Sequence, residues 1–113
     1  MTVELNPRRP HDCIQFMVDS ADAYAQACSA VADIENGMKR TRALLMKKSE
    51  AKTVSEREND AWAHQDMVNL IAGYKEAVYF QTLLKTQLKA AELAVDVFRT
   101  LEASARREGR ATQ

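Results

Sequence analysis

The 113-residue chain carries 16 basic and 16 acidic side chains, so its formal net charge is zero. That length holds one domain. A neutral balance excludes the protein-wide positive field that gathers nucleic acid over a whole surface. Three glycines and two prolines, Pro7 and Pro10, leave few tight turns, and nothing after residue 10 has to break a helix on proline's account. The good helix formers Ala, Glu, Lys, Leu, Gln, Met and Arg dominate the chain from residue 11 onward. The expected class is all-α.

Residues 1–11 hold both prolines and no helical period, and read as a flexible arm. Asp12 is the expected N-cap of a first helix running to about Lys47. Its apolar residues Ile14, Met17, Ala21, Tyr24, Cys28 and Val31 recur at spacings of three and four, continued by Ile34, Met38 and Leu45. Gly37 falls inside that pattern as a weak point, not an end. Residues 47–58, KKSEAKTVSERE, are nearly free of large apolar residues and contain two capping-box patterns, Thr53 with Glu56 and Ser55 with Glu58. They form the connection, with a new helix starting near Ser55. That second helix either runs unbroken to about Arg107 or pauses at residues 63–66, where AHQD interrupts the period and Asp66 offers a new cap. The pause is the preferred reading. Beyond it the stripe resumes through Met67, Leu70, Ile71, Tyr74, Ala77, Phe80, Leu84, Leu88, Ala91, Val95, Phe98 and Leu101.

Two long stripes joined by a short polar link predict a long antiparallel helical hairpin over residues 12–107, with a flexible tail, 108–113, beyond it. Around residues 77–84 apolar side chains cover more than half of the helix circumference, which is more than one partner helix can bury. The surplus predicts a homo-oligomer, with Tyr74, Phe80, Leu84, Leu88 and Phe98 as candidate interface residues.

The charge is uneven along the chain. Residues 1–37 carry 2 basic and 6 acidic groups, and residues 58–105 carry 4 basic and 7 acidic. Residues 38–57 reverse this with 7 basic groups, Lys39, Arg40, Arg42, Lys47, Lys48, Lys52 and Arg57, against Glu50 and Glu56. The plain reading is a solvated face. Lys39, Arg40 and Arg42, however, have few acidic neighbours at helical spacing, Glu35 being the nearest. Lys47, Lys48 and Lys52 lie at a helix connection, where side chains can converge on a phosphate backbone. These seven are the candidate DNA-contacting residues. Trp62 stands beside this segment and outside the main stripe. A helix–helix anchor is its first reading and a base-stacking platform its second.

Enzyme chemistry finds no foothold. His11 and His64 are in different segments, and the sequence has no Gly-rich phosphate loop, C-x-x-C, H-E-x-x-H or G-x-S-x-G pattern. Glu56, Glu58 and Asp60 could be drawn as a metal cluster, but acidic groups at a helix start more often complement its dipole. His64 reads as a polar-face residue beside the helix break. No catalytic residue, metal or cofactor is expected. Cys13 and Cys28, fifteen residues apart on one helix, would be separated by about 22 Å, too far for a disulfide. Reduced thiols, no signal peptide and no membrane-spanning apolar run predict a cytoplasmic protein without membrane contact.

The run Lys48-Ser49-Glu50-Ala51-Lys52-Thr53-Val54 resembles a signature of UvsY-type recombination mediators of tailed phages and of related small helical phage proteins. The ending Arg99-Thr100-Leu101-Glu102-Ala103-Ser104-Ala105-Arg106 is similar to their Arg-x-Leu-x-x-x-x-Arg close. The resemblance spans about residues 12–107, and only those two runs are specific. It implies a ring-forming accessory factor that binds single-stranded DNA and helps load a recombinase onto strands covered by single-strand-binding protein. In host cytoplasm, Lys48, Lys52 and Arg57 would touch the DNA, while Ser49 and Glu50 shape the connection. The competing expectation is a structural or adaptor oligomer, serving phage assembly or host-factor inhibition, that never contacts DNA.

Overall fold

The computed structural model describes residues 4–111. They form three helices, α1 (Pro10–Lys48), α2 (Val54–Ala63) and α3 (Gln65–Ala111), and no strand is present among them. The protein is all-α. No helix among the described residues is long and apolar enough to cross a membrane.

The start of each helix has a local cause, and so has the end of α2. α1 begins two residues before Asp12, which sits in its first turn and complements the helix dipole instead of capping it. The entry is built by Asn6: its side-chain oxygen accepts from the Arg8 N–H and its carbonyl from the Arg9 N–H, both at 2.9 Å. Pro10 then starts the helix, where a missing N–H costs nothing and the fixed φ is already helical. α1 passes through Gly37 without interruption.

Thr53 caps α2 with extended backbone, and its hydroxyl accepts the Glu56 N–H at 3.2 Å. The Thr53–Glu56 signal thus marks the helix start. The Ser55–Glu58 pattern does not, because Glu58 is turned to Arg42. Thr53→Ala should lower stability by about 1 kcal/mol, read as a shift in the urea midpoint with unchanged slope. An unshifted midpoint would show that this cap is dispensable.

The pause between α2 and α3 falls at a single residue, His64. Its extended backbone ends α2 and its N–H reaches the Ala61 carbonyl. Its ring Nδ1 accepts the Asp66 N–H at 3.1 Å, so His64, and not Asp66, caps α3.

The chain divides into two compact units. The terminal unit joins the chain up to Tyr24 with the segment from Leu83 onward, and the central unit is Ala25–Thr82. In the terminal unit the buried cluster is Cys13, Ala91 and Ala94, with Leu5, Phe16, Met17 and Val95 against it. In the central unit Val31, Ala61 and Met67 are buried. Within each unit a stretch of α1 lies antiparallel to a stretch of α3. In the central unit Gln81 contacts Cys28 and Tyr74 contacts Glu35. In the terminal unit Cys13 meets Ala91, while Tyr24 shares a cavity with Lys85 and Leu88. Both cysteines are free thiols, Cys13 buried and Cys28 half-buried.

Candidate nucleic-acid interface

The candidate surface belongs to the central unit. In the last turns of α1 the buried or half-buried positions Val31, Ile34, Met38 and Leu45 mark the side facing the rest of the unit. Helical spacing sets Arg40 and Lys47 on the opposite side and Lys39 on the flank between, and all three are exposed. Lys48 stands at the helix end and Lys52 in the connection, both exposed. Lys48 lines a shallow cavity of about 410 Å³ together with Ser49, Glu50, Asp60 and His64.

The seven sequence candidates separate into two groups. Lys39, Arg40, Lys47, Lys48 and Lys52 have no ion-pair partner among the described residues. Arg42 does have one: its guanidinium meets the Glu58 carboxylate at 3.0 Å, both side chains 43% accessible. Few acidic neighbours stand at helical spacing on α1, and the partner of Arg42 comes from the next helix. Arg57 donates through Nε to the Ala51 carbonyl at 2.8 Å and braces the connection from within.

The connection itself is well tied. The Ser49 hydroxyl donates to Asp60 at 3.0 Å and accepts the Ala51 N–H at 3.2 Å. Ser49 shapes the turn, and Glu58 and Asp60 are spoken for by Arg42 and Ser49. Among the described residues no group of three His, Cys, Asp or Glu is placed to hold a metal ion.

Beside the basic stripe lies a groove of about 510 Å³, lined by Glu35, Met38, Lys39, Arg42, Trp62 and Tyr74. All three helices contribute to it. The Tyr74 hydroxyl donates to Glu35 Oε1 at 3.1 Å. That hydrogen bond, and then the charge of the same carboxylate, hold the Tyr74 hydroxyl above the ordinary tyrosine pKa. Trp62 keeps 40% of its surface accessible, an unusual state for the most costly residue to leave in water.

Set against known proteins, the chain matches no family profile, no curated protein and no solved structure.

The five interface candidates also separate. Phe80 is exposed and stacks edge-to-face with the exposed Tyr79, ring centroids 5.8 Å apart. Tyr74, Leu84, Leu88 and Phe98 are half-buried. A second row escapes a reading of the sequence alone: Leu83, Thr86, Ala90, Leu93 and Val97, alternating three and four apart along α3 and all exposed. Its signal is present in the sequence, but merged with the inward stripe.

Proposed function

We propose that the protein is a non-catalytic accessory factor that binds single-stranded DNA through its phosphates and acts as a homo-oligomer. The observation that carries this reading is the set of five exposed cations that neither an ion pair nor a side-chain hydrogen bond engages among the described residues, Lys39, Arg40, Lys47, Lys48 and Lys52, in one part of the central unit. Repeated on every copy of an oligomer, ring-shaped or otherwise, that set makes a positive surface that a neutral single chain lacks. The resemblance of residues 48–54 and 99–106 to UvsY-type mediators gives the setting: recombination in a host cytoplasm, beside a recombinase and a single-strand-binding protein.

The test is a salt-titrated anisotropy assay with a labelled single strand. Affinity should fall steeply with salt, the log–log slope being near −0.7 for each phosphate neutralised. Lys47→Ala, Lys48→Ala and Lys52→Ala combined should weaken binding and flatten the slope. Arg42 and Arg57 are left intact, since each also holds the connection together. Lys85→Ala with Lys89→Ala, in the acidic part of the chain, should change little. No binding at low salt would overturn the reading. The alternative, an adaptor oligomer without DNA contact, would then stand on the exposed row of α3.

A further inference from the structure

We infer that the groove between Trp62 and Tyr74 takes one unstacked base of the bound strand, with the adjoining phosphate at Lys39. This deepens the single-strand reading and rests on it. The break at His64 puts the two rings on different helices, so that they line one groove from α2 and α3. The groove falls within the range of about 300–1,000 Å³ typical of small-ligand clefts. Its walls combine two aromatic rings, the flexible thioether of Met38, two cations and one carboxylate. Arg42 is engaged by Glu58, which leaves Lys39 as the cation available to a ligand.

Each simpler occupant leaves part of this lining unused. A free phosphate would ignore both rings and meet the Glu35 carboxylate. An aliphatic side chain would bury the Lys39 ammonium and offer it no acceptor. A nucleotide uses all of it: its base has a π-face for Trp62, its phosphate suits Lys39, and its Watson–Crick edge carries an N–H for Glu35. One Glu35 oxygen accepts the Tyr74 hydroxyl, and the other remains for that edge. Stacking of this kind tolerates any base. The groove would thus hold the strand without reading its sequence.

Trp62 is the sole tryptophan, so its emission reports this groove alone. The full chain is titrated at low salt with short oligodeoxythymidylate and with an abasic strand of equal length. Tryptophan emission and the anisotropy of the labelled strand are followed together. The base-bearing strand should quench Trp62 with the same midpoint as the anisotropy change. The abasic strand should bind at least about fivefold more weakly, without quenching. Trp62→Ala should erase that difference, while Trp62→Phe, which keeps a ring face, should retain most of it, with circular dichroism confirming that both variants are folded. Equal binding of the two strands with unchanged emission would overturn the groove and leave the phosphate reading intact. If neither strand alters the anisotropy, the single-strand reading falls and takes the groove with it.

Discussion

Leu93→Glu is expected to turn an oligomer into a monomer. Leu93 is 51% accessible in the single chain and belongs to the exposed row Leu83, Thr86, Ala90, Leu93 and Val97. The alternating spacing is that of a coiled-coil seam, which faces a second helix along its length. The terminal unit supplies the physical need for such a partner. Its buried residues are Cys13, Ala91 and Ala94, none of them large, whereas Ile14, Val18, Leu83, Leu93, Val97 and Leu101 stay exposed. A surface of that kind marks an interaction site. A carboxylate at Leu93 costs little while it faces water, but several kcal/mol once it is buried unpaired in an interface. Sedimentation velocity should therefore find the wild-type chain at several times 12.7 kDa and the variant near 12.7 kDa. A wild-type chain that sediments as a monomer at micromolar concentration would end the oligomer proposal.

Met67→Ala should produce the largest loss of stability. Met67 is fully buried at the start of α3, and with Cys13 it is one of the two largest side chains removed completely from water. Truncation of a buried Met to Ala costs about 2–5 kcal/mol, through lost transfer energy and the cavity left behind. Folded domains have only about 5–15 kcal/mol in total. The urea midpoint should fall by a large fraction, and Val54→Ala, at a position 70% accessible, should hardly move it. A Met67→Ala protein as stable as wild type would mean that the central unit collapses around the missing atoms.

What the sequence disclosed, and what it hid, depends on the range of the interactions. The all-α class, the Thr53 cap and the pause at residues 63–66 were legible because each is written in neighbours within one or two turns. Asp12 misled because the true entry depends on Asn6 and on proline's tolerance for the first helical position. Arg42 and Glu58 lie sixteen positions apart, and Glu35 and Tyr74 thirty-nine. Pairs at such separations depend on which faces the helices present to each other, which a periodic pattern leaves open. The sequence sets His64 beside the break, but its capping role turns on a ring nitrogen's orientation. On α3 the inward stripe and the exposed row sit close enough on the helical wheel to read as one broad apolar face. Only burial separates them.

The division of the chain also sets an order of events in time. The central unit is contiguous, so every partner it needs exists once residue 82 has been synthesised. The earlier part of α1, up to Tyr24, has its partners only from Leu83 onward. Early synthesis therefore leaves Cys13, Phe16 and Met17 without Ala91, Ala94 and Val95 while the middle of the chain assembles. Bringing two distant segments together is entropically costly in proportion to the logarithm of the intervening length, and a central unit already folded shortens that loop. The middle of the chain thus has its partners within reach before the start of the first helix does.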